Sequence, residues 1–489
     1  MQWKLPLAVD LLLFLVIPAG QAVIRPPEDG SIVEAARRII GNFEDWNWKR
    51  DQYLRFTRDY PFGWPTFDCP RPNVATEPTD VHHLAPWHIS VIGAIGDSLT
   101  AGRSAGAETF EDVFLDYRGL SFATGGQNNI STQATLASIF RYFSPDLEQV
   151  SSGTGTSDDV HVAGFNLAES GAFSSDLLRQ AEELVQRIKA STEVDFDNDW
   201  KFISVFIGSN DLCHICNNET DLGAEQYGEN LRQTILYLKE NLPRTYVNLV
   251  PPFHVEVLLE TQTDNPFCVD MQRLFCPCLF ELPKQNYLEV KRSFDGTLET
   301  FRNPQFQTDG FALTISSGVN VANLATLGNS LNLAFIALDC FHFSQMAHDV
   351  MAKIIWGDLF KPVASRAPAD LDTFQPQLWS CPPQDCPYLV TRSTSKNCSG
   401  HTDVKTLTAK HVQIIYDRTV YLPSMDELER RAFMEEHGPV FFLIVFGVLL
   451  LVLVTCVVVM RSCRSRPPPP FYPSERTRLL STKYDQLMF

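Results

Sequence analysis

Residues 88–102, His-Ile-Ser-Val-Ile-Gly-Ala-Ile-Gly-Asp-Ser-Leu-Thr-Ala-Gly, constrain this chain more than any other stretch. Ile89 to Ile95 is an apolar run of the kind that fills a parallel strand buried on both faces. Gly96, Asp97 and Ser98 stop it abruptly. A hydroxyl is thereby set at the carboxyl end of a strand, where open α/β sheets hold their ligands. Gly96-Asp97-Ser98-Leu99 alone also suits a surface turn, so a role for Ser98 requires a base and an oxyanion site elsewhere.

From Trp87 to about Lys361 strand-like runs alternate with helical patterns, which predicts an α/β fold around a parallel sheet. Ile89–Ile95 reads as the first strand and His161–Ala168 as the second. Phe202–Ile207, Tyr246–Val250 and Phe311–Ser316 follow as the third, fourth and fifth. Helical spacing of apolar residues marks Asp176–Ala190, with Leu177, Ala181, Leu184 and Ile188, and Gln226–Asn241, with Leu231, Ile235 and Leu238. Ser344–Phe360 reads as a closing helix, and Ser31–Ile40 as a short one near the amino terminus. No internal repeat is visible, and one domain of this size suits an α/β fold.

The ends carry their own signals. Residues 1–22 have the order of a secretory signal peptide: Lys4, an apolar core from Leu5 to Ile17 too short to span a bilayer, then Ala19, Gly20 and Ala22. Val440 to Met460 is free of charge and has the ~20-residue length that crosses a membrane. Arg461, Arg464 and Arg466 follow at once, which places the tail in the cytoplasm. The expected organisation is a leader (1–22), an arm (23–86), an α/β domain (87–363), a cysteine-bearing extension and stalk (364–438), a single transmembrane helix (439–460) and a cytoplasmic tail (461–489). The tail holds a polyproline run after Arg466 and two sorting-type motifs, one with Leu479 and Leu480, one beginning at Tyr484.

Of the twelve cysteines, Cys456 and Cys463 fall in or just past the span, and the even number left outside suits disulfides in an oxidising compartment. Cys69 is expected to tie the arm to the body, and Cys381, Cys386 and Cys398 to knot a small appendage. Cys213-His-Ile-Cys216 has the spacing of a redox or zinc pair, yet in a secreted chain structural disulfides are the expectation, for these and for Cys268, Cys276, Cys278 and Cys340. No metal or other cofactor is expected. Sequons at Asn129, Asn218 and Asn397 are glycosylation candidates. A formal net charge of −18 argues against nucleic acid and against non-specific attraction to anionic lipid. If the protein meets lipid, its anchor brings it there.

A serine hydroxyl needs an adjacent base, usually a histidine oriented by a carboxylate. Asp339-Cys-Phe-His342 follows the apolar run Leu333–Leu338 and can set both groups side by side, leaving one imidazole nitrogen for a serine. A capping Asp beside a half-buried His is the bland alternative. Acyl transfer also needs donors aimed at the developing oxyanion. Asn210, in Gly208-Ser-Asn-Asp211 after the third strand, offers a side-chain amide; Gly171, after the second, offers a backbone N–H. Asp211 and Asp97 read as structural residues of their turns.

Gly96-Asp-Ser-Leu, Gly171, Gly208-Ser-Asn-Asp and Asp339-Cys-Phe-His342, in this order, resemble the sequence blocks of the GDSL, or SGNH, hydrolases. Ala94–Gly102, Gly208–Cys213 and Asp339–Ser344 are more closely similar to membrane-associated phospholipase B enzymes. The resemblance covers about Val81 to Phe360. It implies a flavodoxin-like sheet, Ser98 as nucleophile with Asp339 and His342, and an oxyanion hole from the N–H groups of Ser98 and Gly171 and the Asn210 side chain. It further implies metal-independent hydrolysis of phospholipids and lysophospholipids. Unlike family members with tandem hydrolase units, this chain has one. Retinyl, acylglycerol or carbohydrate esters remain alternative substrates, and a non-catalytic surface receptor is the reading from another class. Gly96-Asp-Ser98 lacks the glycine two residues after the serine that an α/β-hydrolase nucleophile elbow has.

Overall fold

The computed structural model describes residues 40–394, with short gaps at 49, 52–59, 73–75, 148, 217–221, 254, 256–257, 259–264, 321–325, 328–329, 332–333, 367–368 and 371–373, and the pair 404–405. The leader, all of the expected Ser31–Ile40 helix but its last residue, Asn218, Asn397, the apolar segment 439–460 and the tail motifs at Leu479, Leu480 and Tyr484 lie outside the described residues. No helix among the described residues is long and apolar enough to cross a membrane.

The central sheet has the order β1-β2-β3-β5-β4, with β1 Ile89–Gly96, β2 Trp200–Phe206, β3 Thr245–Val250, β4 Gln307–Thr308 and β5 Phe311–Ile315. β1, β2, β3 and β5 are mutually parallel, and the short β4 closes the outer edge antiparallel to β5. Every residue of β2, β3 and β5 is buried, the condition that selects near-continuous apolar runs over alternating ones. Strand and helix runs in the sequence therefore fall within a few residues of the observed elements.

One expected strand is absent. Within His161–Ala168, Val160–Ala163 forms a single helical turn closed by Gly164, and only Asn166 bridges to β1, at Ala94. This segment still occupies the far flank of β1, where the second strand of a flavodoxin-like sheet lies. The Asn166 side chain is turned to the Thr100 carbonyl and the Thr124 hydroxyl (3.1 and 3.0 Å), and among the described residues no strand pairs with the outer side of the segment.

Helices cover both faces: α1 Ser98–Ala101, α2 Leu136–Phe143, α3 Leu177–Ala190, α4 Ser209–His214, α5 Ala224–Asn241, α6 Pro266–Phe275, α7 Cys278–Glu281, α8 Lys284–Leu298 and α9 Gln345–Asp358. α3 lays Leu177, Ala181, Leu184, Val185 and Ile188 against β1 and α5. α6, α7 and α8 fill the stretch between β3 and β4, where the sequence offered cysteines and no helical expectation. α9 is buried almost all round.

The arm and the described part of the extension pack on this body. On α9, Asp349 accepts from the Gly63 and Ala134 N–H groups and the Tyr60 hydroxyl and pairs with the buried Lys353. Cys381 is bonded to Cys69 of the arm, which corrects the expectation that Cys381 closes a local knot. Leu389 and Val390 hydrogen-bond to Leu84 and Leu359, so this part of the extension is docked and does not stand off as an appendage. Cys386 is also disulfide-bonded.

Candidate active site

Gly96 ends β1 so closely against β2 that a Cβ there would lie 2.2 Å from the Phe206 carbonyl oxygen, and its φ of +155° is one that glycine adopts readily. Asp97 then caps α1, accepting from the Leu99 N–H at 2.9 Å. Its other carboxyl oxygen is buried without a partner, and burial pushes its pKa up to about 7. Ser98 is the first residue of α1, and its hydroxyl emerges at the carboxyl edge of the sheet.

There the structure brings three of the sequence-selected residues together. His342 Nε2 lies 2.8 Å from Ser98 Oγ, and His342 Nδ1 lies 2.5 Å from Asp339 Oδ2. An ionised carboxylate only accepts, so Nδ1 carries the proton and Nε2 is left to accept from the serine hydroxyl. Burial raises the Asp339 pKa, but the His342 imidazole and the N–H groups of His342 and Phe341 outweigh it and hold the carboxylate below its ordinary value. All three side chains are buried.

The Asp339–His342 turn is braced from outside. Cys340 sits between acid and base at φ +61°, left-handed backbone for a non-glycine residue. It is bonded to Cys268 of α6, and its carbonyl accepts from Gln272 at 3.2 Å. The Leu338 carbonyl accepts from Trp46 Nε1, in the helical part of the arm, at 2.8 Å. From the same helix, Arg50 feels the charge of Asp339; burial lowers its pKa to about 10 while Asp339, Asp51 and Glu108 act the other way. Trp46, Arg50 and Gln272 are not found from sequence, because nothing in the local pattern links them to residue 340.

Besides the Ser98 N–H, the expected oxyanion donors Gly171 and Asn210 lie on adjoining turns. Gly171 has φ +87° and open space where a Cβ would be, so its backbone conformation calls for glycine and its face is accessible. One amide hydrogen of Asn210 goes to the Ala172 carbonyl at 2.9 Å, leaving the second. Asp211 accepts from the Ser174 N–H and hydroxyl (3.0 and 2.5 Å), tying the two turns together, and burial raises its pKa to about 6. Glu169 N–H donates to the Gly96 carbonyl at 3.1 Å, which joins the Gly171 turn to the Ser98 turn.

Cys213 and Cys216 bond to Cys276 and Cys278, so each has its own partner, and the Cys-His-Ile-Cys spacing makes no redox or zinc pair. Together with Cys268–Cys340, these bonds stitch the α6–α7 insertion to both the Asn210 and the His342 turns. The rings of Phe275 and Phe341 stand edge-on to His342, with centroids 5.1 and 5.0 Å away. His348 accepts from the Phe122 N–H at 3.2 Å, and burial drives its pKa down to about 3, as befits a structural, neutral imidazole. Asn129 is exposed on a turn.

Residues 92–355 match the family model of the GDSL-like lipases and acylhydrolases. The chain is 34% identical over 376 residues to "Phospholipase B1, membrane-associated" of Rattus norvegicus, covering 71% of this chain and 26% of that protein. It is 33% identical over 326 residues to the Homo sapiens protein of the same name, covering 65% of this chain and 22% of the relative. It thus spans about a quarter of the length of these relatives. Among solved structures, a catalytic mutant of an acetylxylan esterase from Geobacillus stearothermophilus aligns at 16% identity and TM-score 0.30, over 58% of this chain and 96% of that one. On the family match across 92–355, the chain belongs to the GDSL-like lipase/acylhydrolase family.

Proposed function

We propose that this chain is a membrane-anchored serine ester hydrolase that releases fatty acids from glycerophospholipids and lysophospholipids. The observation that carries the reading is the buried relay Ser98 Oγ, His342 Nε2, His342 Nδ1, Asp339 Oδ2 at 2.8 and 2.5 Å. In the proposed reaction Ser98 Oγ attacks the ester carbonyl carbon while its proton passes to His342 Nε2. Asp339 stabilises the imidazolium that forms. The carbonyl oxygen becomes an oxyanion held by the N–H groups of Ser98 and Gly171 and the Asn210 amide. Collapse breaks the ester C–O bond, and the leaving alkoxide takes the proton from Nε2. Water, deprotonated by the same nitrogen, then attacks the acyl-Ser98 ester; the acyl C–Oγ bond breaks, Nε2 returns the proton to Ser98 Oγ, and the fatty acid is freed.

The lipid substrate class draws on the phospholipase names of the relatives and on the apolar wall beside the base. Phe275 and Phe341 flank His342, and Leu274 and Phe280 on the same insertion are 53% and 39% exposed. Such a wall favours an acyl chain over a sugar. The leader at 1–22 and the segment 439–460 support single-pass placement at the cell membrane with the hydrolase domain (87–363) outside the cytosol. Glycosylation at Asn129, Asn218 and Asn397, and endocytic adaptor binding at Leu479, Leu480 and Tyr484, belong to the same reading.

The full-length protein in detergent or proteoliposomes, given phosphatidylcholine, lysophosphatidylcholine, retinyl, acylglycerol and acetyl-sugar esters side by side, tests it. Release of fatty acid from the two phospholipids, unchanged under a calcium chelator and lost in Ser98→Ala, is the expected result. Turnover confined to the other esters would reject the substrate class, and loss of activity under chelation would reject the metal-independent mechanism.

A further inference from the structure

Arg118 is fully buried at the start of a short 3-10 turn, Arg118–Leu120, that follows the Ser98 helix in sequence, and its guanidinium is used on every side. Nε donates to the Gly155 carbonyl at 2.7 Å, Nη1 to the Asn166 carbonyl at 3.0 Å, and Nη2 to the Ala168 carbonyl at 2.8 Å. Nη2 also meets Asp116 at 3.3 Å, and the second Asp116 oxygen accepts from the Ser170 hydroxyl at 2.6 Å. A buried arginine is retained where its fork meets several fixed acceptors at once.

The pattern of these acceptors is informative. Residues 165–169 run beside β1, with the Phe165 carbonyl and the Leu167 and Glu169 N–H groups all bonded to it. The alternate carbonyls, those of Asn166 and Ala168, face away from β1. In a wider sheet another strand would supply their N–H partners; here the two ends of one guanidinium do. Arg118 thus stands in for the missing strand along the segment that leads directly into Gly171.

The same loop is fastened to the nucleophile's helix. Tyr117 N–H donates to the Gly102 carbonyl at 2.9 Å, just past α1, and the Ser121 hydroxyl donates to the Thr100 carbonyl at 2.7 Å. Asp116 and Arg118 therefore bridge the Ser98 helix and the Glu169–Ala172 turn.

We infer that Arg118, with Asp116, is a positioning clamp that fixes the Gly171 N–H relative to Ser98, so that the oxyanion is bound as it forms. This deepens the proposed function and rests on its assignment of Gly171 as an oxyanion donor. Arg118 touches no reacting atom. Because an oxyanion donor acts on the transition state, loosening it lowers kcat and leaves ground-state binding alone.

The test is Arg118→Lys in the full-length protein, with kcat and KM for a soluble short-chain ester and the rate of inactivation by a fluorophosphonate. Lysine keeps the charge but cannot span the Asn166 and Ala168 carbonyls. A kcat lowered about 10²-fold, a parallel loss in inactivation rate, KM within about twofold of the original and an unchanged pH midpoint of kcat/KM are expected. Wild-type kcat in a folded Arg118→Lys protein would overturn the clamp, as would a loss expressed only in KM. Should that variant fail to fold, Ser170→Ala removes only the outer link to Asp116. It should lower kcat several-fold, and an unaltered kcat would again overturn the inference. Residual hydrolysis in Ser98→Ala would instead defeat the underlying reading, so the two failures are distinguishable.

Discussion

Two turns meet at Ser98, and they are held in different ways. The Gly171 turn is secured by hydrogen bonds and an ion pair: backbone to β1, the Arg118 fork, the Asn210 and Asp211 side chains, and Arg179 on Glu169. All of these partners fall inside the 92–355 family match. The Asp339–His342 turn carries a left-handed cysteine and is secured by a disulfide to α6, by Gln272, and by Trp46 from the arm, outside that match. A φ above zero at a non-glycine residue persists only where the surroundings over-determine it. The oxyanion side is thus held wholly from within 92–355, whereas the acid–base side adds a disulfide inside that span and a hydrogen bond from the arm outside it.

The acid–base side should fail most severely when its chemistry is cut. Asp339→Asn keeps the turn's shape but sets an amide against Nδ1 and favours the wrong tautomer; kcat should fall roughly 10⁴-fold with little change in melting temperature. Full activity in that variant would mean Asp339 only caps the turn. Next in size is the double substitution of Cys268 and Cys340 by serine, which should lower stability by about 2–5 kcal/mol in denaturant titration. Glycine at 340 in place of serine should recover part of the lost activity, since glycine adopts φ +61° without strain. Equal behaviour of the serine and glycine versions would show that the left-handed backbone is not what the bond supports.

A smaller effect is expected from Trp46→Phe, which deletes the donor to the Leu338 carbonyl and keeps most of the ring. Leaving that buried carbonyl unpaired costs about 1–3 kcal/mol, read as a drop in melting temperature together with reduced kcat. Unchanged kinetics would detach the arm from the site. Separate from these is a pH dependence. Asp97, at about 7 when folded against an ordinary value of 3.8, binds its proton more tightly in the folded chain. Its stability contribution is therefore complete below pH 4 and is lost as pH rises to 7; Asp211, at about 6, has the same sign. Asp339 has the opposite sign, stabilising above the ordinary carboxylate range and losing this as pH falls. Asp97→Asn should flatten the decline in melting temperature between pH 4 and 7, and an unaltered slope would reject Asp97 as its source.

Much of this was legible in the sequence, for identifiable reasons. β1, β2, β3 and β5 are buried on both faces, so they surface as apolar runs. Ser98, Asn210, Asp339 and His342 follow such runs within a few residues, so short motifs carried them. The Gly171 turn was found, but the run before it was misread: His161–Ala168 has strand-like composition, and only the tertiary position of Arg118 explains why its outer edge needs no strand. Arg118 sits in Tyr-Arg-Gly-Leu, where a charged residue among small and apolar neighbours was the sole hint of burial. Cysteine pairing was not legible, because Cys213 and Cys216 look like partners in sequence while each reaches more than sixty residues away. Trp46, Arg50 and Gln272 act across still longer separations that no local periodicity encodes.

Every step of the proposed chemistry depends on Ser98 as the nucleophile. Its most direct measurement is peptide mapping by mass spectrometry of the full-length protein after reaction with a fluorophosphonate. One adduct per chain is expected, on Ser98, with hydrolysis lost in proportion, and no adduct in a Ser98→Ala protein that melts as the original does. An adduct on any other residue, or ester hydrolysis that survives complete modification of Ser98, would contradict it.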